Sequence, residues 1–393
     1  MRLTSPRKLV RNSFNVLNKL IPKARRAIVI GFPNVESSAI AVANHIYSKH
    51  KIPVLYVISS KANDFPQEQL LPGIRIINRD GHYWNYLSFY YKYMRSKYLF
   101  FTHGGLFDYF PKTQVATNIW HGILYKNVGL LDGRPGITAD VTVGTAAITK
   151  KMLSLAFGVP PESVFISGYP RNDILINASR NKKAVLDKIN HSLENYDKII
   201  IWLPTYRKRT LIYDREDGKE TGNPFYIEDF NLPYFNELLK KHNTLCIVKP
   251  HPMAIKYESK IQSDHLLFID DQWISTHHIT LYDLVGSSDI LLSDVSSVMI
   301  DYLLIDQPIL CISTDFEEYK NSRGFYFDDI EFWLPGPVLN DQYQFFKDLT
   351  YLLKGGEDPY AAKRKALKEA FFESADANST ERLVSHVFNM QKR

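Results

Sequence analysis

Five short stretches of the sequence carry side chains that can transfer a proton or bind an anion. They are, in chain order, "WHGILYK" (120–126), "GYPRND" (168–173), "LPTYRKR" (203–209), "KPHP" (249–252) and "LLSDVSSVMID" (291–301). A histidine accepts protons near neutral pH, a lysine offsets negative charge, and an arginine binds two phosphate oxygens with its planar guanidinium group. This combination of residue types predicts a site for a phosphorylated substrate.

His121 is the candidate general base of this site. Its imidazole has an ordinary pKa of about 6.5, and Gly122 leaves space for a substrate beside the ring. Trp120 and Lys126 are candidates for acceptor binding or for support of the base. A second interpretation is a core histidine whose ring bonds a backbone carbonyl group. Asn118 and Lys126, which lie close in the sequence, favour the site.

Candidate phosphate ligands lie in the second half of the chain. Arg207 can bind two phosphate oxygens, and Lys249 and His251 can offset the charge of a diphosphate. A single basic side chain in a loop is more commonly a solvated surface group. The occurrence of these cations after several strands favours an anion site.

The fifth stretch combines an acid and two serines before a helical segment. Asp294 or Ser296 can cap this helix, whose apolar face starts at Val298. The N–H groups of its first turn, together with the hydroxyl groups of Ser296 and Ser297, can bind phosphate. A purely structural cap explains the same residues, so both interpretations are open.

Sequence signatures of metal and dinucleotide sites are absent. The sequence contains no Asp-x-Asp, no His/Cys cluster with metal-ligand spacing, no GxxxxGK[ST] and no GxGxxG. Neither a metal-bound diphosphate nor an NAD site is therefore indicated. We expect no metal and no cofactor, with cationic side chains and helix N–H groups in the place of Mg²⁺.

Short apolar strands alternate with amphipathic helical segments along the chain. The predicted strands are "AIVIGF", "VLYVIS", "IRIINR", "YLFFTH", "VATNIWH", "VTVGTA", "VFISGYP", "KIIIWLP", "TLCIVKP", "LLFID", "ILLSD" and "PILCIS". Helices are predicted at 37–49, 147–157, 233–242, 280–286 and 296–305. This alternation predicts parallel sheets with helices on both faces, which bind ligands at the carboxyl ends of their strands. All five stretches lie at such ends.

The length of 393 residues predicts two domains, because a single core rarely grows that large. The predicted segments are a basic arm (1–26), a first Rossmann-like domain (27–175), a connecting helix (176–197), a second Rossmann-like domain (198–356) and closing helices (357–393). The predicted architecture is therefore α/β, with two doubly wound domains.

The basic residues are concentrated at the N-terminus. Residues 1–26 carry eight basic side chains and no acid, whereas the whole chain has a net charge of +6. Val10, Phe14, Leu17 and Ile21 recur at helical spacing beneath them. This pattern predicts either a helix on an anionic membrane surface or a first helix that packs on the protein body. Nucleic-acid binding is disfavoured, because no known binding motif follows.

The apolar runs indicate the compartment. None approaches the roughly 20 residues that cross a bilayer, and the N-terminus lacks the apolar core of a signal peptide. Cys246 and Cys311 lie in apolar runs without a CxxC pair, which is typical of reduced core residues. We expect a cytoplasmic protein without a membrane span.

The motifs together resemble a known family. "NIWHG…K", "GYPRND", "PTYR", "KPHP", "DILLSDVSSVMID" and "EYKNSRGFYFDD…PGP" occur in the order and at about the spacing seen in the CDP-glycerol glycerophosphotransferases of teichoic acid and capsule synthesis. The resemblance covers residues 114–337, and six linked motifs make it specific. The first hundred residues fit only in pattern.

The resemblance implies a GT-B-like fold, with the two Rossmann-like domains facing across a cleft. The first domain would bind an acceptor and the second a CDP-alditol. It implies metal-independent transfer of glycerol phosphate from CDP-glycerol to a hydroxyl group of a lipid-linked acceptor, with release of CMP. His121 would be the base, and His251 would contribute to catalysis or to the diphosphate site. The expected donor-binding residues are Arg171, Pro204, Thr205, Arg207, Lys249, Asp294, Ser296 and Ser297.

Two departures leave the substrate open. The family usually has "WHGTPLK" and "PTWR", where this chain has "WHGILYK" and "PTYR". The alternatives are a CDP-ribitol transferase, a GT-B sugar transferase or epimerase, and a non-catalytic membrane-associated scaffold. Lipid-linked acceptors favour the membrane interpretation of residues 1–26, and hence a location on the inner face of the bacterial cell membrane. The sequence does not indicate an oligomeric state.

Overall fold

The structure is a computed structural model that describes residues 6–59, 65–189, 193, 195–204, 225–227, 229–250, 263–322 and 324–390. It contains two compact units, each with its own sheet. Unit 1 comprises Met1–His121, Val128–Ile174 and Phe372–Arg393, and unit 2 comprises Gly122–Asn127 and Leu175–Phe371. The predicted α/β class with two doubly wound parts is confirmed. The division into an acceptor part and a donor part stays a prediction.

Unit 1 contains a parallel sheet. Its strands are β1 (Ala24–Ile30), β2 (Val54–Ile58), β3 (Arg75–Asn78), β4 (Ser96–Phe101), β5 (Val115–Asn118), β6 (Val141–Gly144) and β7 (Val164–Ile166). Their spatial order is β3-β2-β1-β4-β5-β6-β7, and each agrees with a predicted strand. Every residue of β5 and β6 is buried, as expected for strands covered on both faces. The order reverses between β1 and β4, which is where open parallel sheets bind ligands.

The helices of the first half lie before β1, between β1 and β2, between β3 and β4, between β6 and β7, and after β7. They are α1 (Pro6–Leu20), α2 (Ser37–His45), α3 (Tyr83–Arg95), α4 (Ala147–Phe157) and α5 (Pro170–Arg180). A π-helical turn, Ile46–His50, extends α2. The core between α3 and the sheet contains the buried Phe89, Tyr93 and Leu99.

Helix α1 packs partly on unit 1. The ring of Phe14 stacks on Tyr90 at 4.7 Å and on Phe107 at 6.0 Å, and Ile21 packs against the same core. Leu17 and the neighbouring Val16 and Leu20 remain exposed. Part of the predicted apolar stripe therefore packs on the protein body, while lipid binding by residues 1–26 stays a prediction. In the described part of the chain, none of the helices combines the length and the apolar character of a membrane span.

Unit 2 contains a second parallel sheet. Its strands are β8 (Lys198–Leu203), β9 (Thr244–Val248), β10 (Leu266–Phe268), β11 (Ile290–Ser293), β12 (Ile309–Ile312) and β13 (Val338–Leu339). The order is β10-β9-β8-β11-β12-β13, with the reversal between β8 and β11. The first five strands were predicted. The two-residue β13 was not, because it is too short to show a periodic pattern.

The remaining helices complete both units. They are α6 (Lys182–Ile189), α7 (Leu232–Lys241), α8 (Asp271–Thr276), α9 (Leu281–Gly286), α10 (Val298–Tyr302), α11 (Phe316–Ser322), α12 (Ile330–Trp333), α13 (Gln342–Leu353), α14 (Ala361–Phe371) and α15 (Ser379–Asn389). Helix α15 belongs to unit 1, where it contacts α2. Cys246 and Cys311 are buried and not in a disulfide bond, in agreement with their prediction as core residues.

Candidate functional site

A strained turn follows β5 and carries the candidate base. Trp120 has a φ of 60°, which is unusual for a bulky side chain, and Gly122 has a φ of 144°. The side chain of Asn118 accepts a hydrogen bond from the Trp120 N–H at 3.2 Å, and the indole packs on Phe157. Such backbone strain costs about 1–3 kcal/mol and persists only where surrounding contacts hold it. These contacts fix the position of His121 at the strand end.

The hydrogen bond of His121 determines its tautomer. Nδ1 lies 3.0 Å from the Thr102 carbonyl oxygen. A carbonyl oxygen only accepts, so Nδ1 carries the hydrogen, and the lone pair of the neutral ring is on Nε2. The carbonyl contact expected of a structural histidine is thus present at Nδ1. His121 is half-buried, and its geometry suits a base that acts through Nε2.

A second histidine lies against the candidate base and was not anticipated. His103 follows β4, the neighbour of β5, and its ring stacks on His121 at 4.0 Å with an angle of 8° between the rings. Partial desolvation lowers the pKa of His103 to about 4. The residue is exposed at its outer edge, so hydration moderates this shift. A neutral His103 avoids repulsion when His121 becomes protonated. The histidine at the end of "YLFFTH" was the sequence feature that could have identified it.

Arg171 lies beside the same turn. Its guanidinium group donates a hydrogen bond to the His121 carbonyl oxygen at 2.7 Å and lies 5.5 Å from the Tyr169 ring centroid. Its backbone N–H contacts the Ser38 hydroxyl oxygen at 3.3 Å. Burial raises the pKa of the nearby Glu36 carboxyl group, whereas the charge of Arg171 opposes that rise. The structure thus brings Arg171 and His121 together, and donor-phosphate binding by Arg171 stays a prediction.

The rest of the "GYPRND" motif holds α15. The Asp173 carboxylate accepts hydrogen bonds from the N–H groups of Ser379 and Thr380 at 2.8 and 2.7 Å. It also accepts one from the Thr380 hydroxyl group at 2.6 Å. Gly168 has a φ of 83°, and a Cβ atom there would lie 2.4 Å from the Ser379 hydroxyl oxygen. This motif therefore has a structural role that the sequence did not reveal.

The candidate donor residues of unit 2 follow three neighbouring strands. Pro204 follows β8, Lys249 follows β9, and Asp294 follows β11, while β8 lies between the other two. Adjacent strands are about 4.8 Å apart, so these ends lie within roughly 10 Å of one another. Ser296 and Ser297 lie just beyond Asp294. Thr205, Arg207 and His251 lie outside the described residues.

Lys249 is an ion-paired residue. Its Nζ atom lies 2.8 Å from the Asp271 Oδ1 atom, and the lysine side chain is 7% exposed. The backbone N–H of Lys249 bonds the Trp202 carbonyl oxygen, which extends the β8–β9 ladder. A phosphate bound by Lys249 would share this cation with Asp271.

The predicted cap of the helix after β11 is wrong. Ser297 precedes α10 with helical backbone angles and makes no side-chain cap hydrogen bond. Asp294 is fully buried, and its carbonyl oxygen accepts the Ser296 N–H at 2.7 Å. A capping residue needs extended backbone angles directly before the first helical residue, and neither Asp294 nor Ser296 occupies that position. The half-buried serines stay candidates for donor binding.

The end of the first motif lies in unit 2. Lys126 forms an antiparallel bridge with Phe325, and the Tyr125 carbonyl oxygen accepts the Tyr326 N–H at 2.8 Å. The Asn127 N–H donates a hydrogen bond to the Gly324 carbonyl oxygen at 3.3 Å. Within unit 2 the end of the "ILYK" segment therefore pairs with the "GFY" part of the last motif.

Comparison with known proteins agrees with these motifs. The family model described as CDP-glycerol:poly(glycerophosphate) glycerophosphotransferase matches residues 17–389. The chain belongs to this family. The match includes the candidate base, the candidate donor residues and α15, and the family suspected from the motifs is confirmed.

Curated relatives act on two alditols. The chain is 28% identical to the teichoic acid ribitol-phosphate polymerase TarK of Staphylococcus aureus, over 71% of this chain and 53% of that protein. It is 30% identical to a teichoic acid poly(glycerol phosphate) polymerase of Bacillus spizizenii, over 63% of this chain and 64% of that protein. The chain spans about half the length of the first curated relatives it matches.

A solved structure shows the same fold. The wall teichoic acid polymerase TagF superimposes with a TM-score of 0.72 at 18% identity, over 97% of this chain and 95% of that chain. The GT-B-like fold class is thereby confirmed.

Proposed function

We propose that this family member transfers glycerol phosphate from CDP-glycerol to a hydroxyl group of a lipid-linked acceptor and releases CMP. The product would be a teichoic acid or capsule polymer. Family membership supports the reaction type. The single observation that carries the mechanism is the His121 ring, whose Nδ1 atom is held by Thr102.

His121 is the general base of this proposal. Its Nε2 atom would take the proton from the acceptor hydroxyl group, and the oxygen would attack the phosphorus atom on the glycerol side of the donor. The Thr102 carbonyl oxygen stabilises the imidazolium ion that forms, because Nδ1–H then points at a partial negative charge. Arg171 holds the backbone of the base, and the neutral His103 adds no repulsive charge. Trp120 and Gly122 shape the turn, and Lys126 forms a bridge with Phe325 within unit 2.

The donor diphosphate is assigned to the strand ends of unit 2. The proposed ligands are Pro204, Thr205, Arg207, Lys249, His251, Asp294, Ser296 and Ser297, with Arg171 as an additional cation. The reversal of strand order between β8 and β11 supports this placement, because nucleotides bind at such points in α/β sheets. Charge on the leaving CMP would be stabilised by side-chain cations in place of Mg²⁺. Added Mg²⁺ should therefore not raise the rate of CMP release.

CDP-ribitol is the second candidate donor. The chain is about as similar to a ribitol-phosphate polymerase, at 28% identity, as to a poly(glycerol phosphate) polymerase, at 30% identity. The replacement of "TPL" by "ILY" after Gly122 is the sequence feature that could alter alditol choice.

Attachment to the inner face of the cell membrane is part of the proposal. Val16, Leu17 and Leu20 are exposed on α1, and the neighbouring Lys19 is exposed as well. A helix with exposed apolar and basic side chains binds anionic lipid surfaces, because the apolar side chains insert into the lipid and the basic ones are attracted to the headgroups.

The experiment is donor turnover by the purified full-length protein. CDP-glycerol and CDP-ribitol are supplied separately with a lipid-disaccharide acceptor, and CMP is measured by chromatography. His121→Ala should lower the rate by about 10²–10⁴-fold and leave CDP-glycerol binding intact. The control is His278→Asn, which changes an exposed histidine of unit 2 whose φ of 53° suits asparagine.

Each remaining outcome favours one alternative. A near wild-type rate for His121→Ala would remove the base assignment. Turnover of labelled UDP-sugars would indicate a sugar transferase or epimerase. Donor binding by the wild-type chain without any CMP release would indicate a non-catalytic scaffold.

A further inference from the structure

Two histidines and a glutamate meet in unit 1 on elements that the proposed transfer does not use. His45 ends α2, His50 ends the π-helical turn that extends it, and Glu381 lies in the first turn of α15. One ligand atom of each residue lies within 4.8 Å of the other two. The sequence showed no metal-ligand spacing here, because Glu381 is remote along the chain.

The π-helical turn explains why the two histidines face the same way. Residues five apart point in different directions on an α-helix, which has 3.6 residues per turn. In a π-helix the hydrogen bonds join residues five apart, so His50 comes close to lying above His45. The two ring centroids are 5.6 Å apart. Turns of this kind are frequent at functional sites.

The third group is fixed from α15. Asp173 accepts the N–H groups of Ser379 and Thr380, which positions the helix start and therefore Glu381. The Glu381 Oε2 atom lies 3.0 Å from His45 Nε2, while Oε1 accepts the Ser385 hydroxyl group. Ligand atoms around a tetrahedral metal ion are about 3.3–3.6 Å apart when the metal–ligand bonds are about 2.0–2.2 Å. Small side-chain rotations would reach that geometry.

The environment of His50 favours metal binding. Within the described part of the chain, the Nε2 atom of His50 is buried and has no hydrogen-bond partner. A buried imidazole nitrogen without a hydrogen-bond partner, in a residue grouped with a carboxylate and a second imidazole, is an arrangement that a cation would complete.

We propose that His45, His50 and Glu381 bind one Zn²⁺ ion, with water as the fourth ligand. Two imidazoles and a carboxylate suit zinc and other late transition metals, whereas Mg²⁺ and Ca²⁺ prefer oxygen ligands. The ion joins α15 to α2 and thereby fastens the C-terminal helix to the sheet of unit 1. It takes no part in phosphate transfer.

Calorimetric titration of the metal-stripped, full-length and tag-free protein with ZnCl₂ tests this site. The wild-type chain should bind one Zn²⁺ and melt at a higher temperature with the ion bound. His50→Gln and Glu381→Gln should each lower the affinity by at least about tenfold. His278→Asn should bind as the wild type does. CoCl₂ should give the intense visible absorption of four-coordinate cobalt, and MgCl₂ should give no binding heat.

The two ligand variants keep the result decisive. Glu381 is exposed, so Glu381→Gln should fold even if His50→Gln does not, and circular dichroism verifies the fold of each. Absence of stoichiometric zinc binding, or equal affinity in the wild type and Glu381→Gln, would overturn the site. The outcome is independent of CMP release.

Discussion

The attachment of α15 by Asp173 gives a prediction whose size follows from the structure. The buried carboxylate accepts three hydrogen bonds, from the Ser379 N–H, the Thr380 N–H and the Thr380 hydroxyl group. A hydrogen bond to a charged group contributes about 1.5–3 kcal/mol, and loss of a helix cap costs about 0.5–2 kcal/mol. Because the released donors regain some hydration, Asp173→Ala should lower the free energy of opening α15 by about 3 kcal/mol.

Asp173→Asn is the intermediate variant. It keeps one carbonyl oxygen but places an NH₂ group against N–H donors, so we expect a loss of about 1–2 kcal/mol. Amide hydrogen exchange of α15, followed by mass spectrometry, measures the opening. A loss of 3 kcal/mol corresponds to exchange about 100-fold faster.

Asp376→Ala is the matched control. It removes the same charge close to α15, but Asp376 is 49% exposed and pairs with Arg382 at the surface. Exposed ion pairs contribute about 0–1 kcal/mol, so exchange should change little. If Asp173→Ala accelerates exchange no more than Asp376→Ala does, the reasoning from the three hydrogen bonds is refuted.

Three further predictions concern the two units. Gly168→Ala should destabilise unit 1 by about 1–3 kcal/mol, because of the positive φ and the contact with Ser379. An unchanged midpoint of urea unfolding for Gly168→Ala would contradict this prediction. If Lys249 binds the donor, calorimetry should show weaker CDP-glycerol binding for Lys249→Met and tighter binding for Asp271→Asn, which frees the cation. Unchanged affinity in both would remove Lys249 from the site. NMR titration should give His103 a pKa below its ordinary value of about 6.5, and titration at or above that value would contradict the stacked, partly desolvated ring.

The strands β1 to β12, the fold class and the family could be predicted from the amino-acid sequence alone. Apolar runs such as "VATNI" are local features, because a strand covered on both faces needs consecutive apolar residues. The six motifs are contiguous as well, and each has its meaning at a strand end. The position of His121 after β5 and of Lys249 after β9 could therefore be predicted without the structure.

The contacts between residues that are distant along the chain could not be predicted from the sequence. The order of the strands places His103 against His121, and the packing of later segments places the start of α15 against Asp173 and Phe325 beside Lys126. The predicted cap at Asp294 failed for a related reason, since the path of the chain after β11 takes that side chain into the interior. The spacing of apolar residues along the chain indicates which face of a strand or helix is buried. Contacts between elements depend on strand order and on the packing of helices, and neither is encoded in the spacing of residues along the chain.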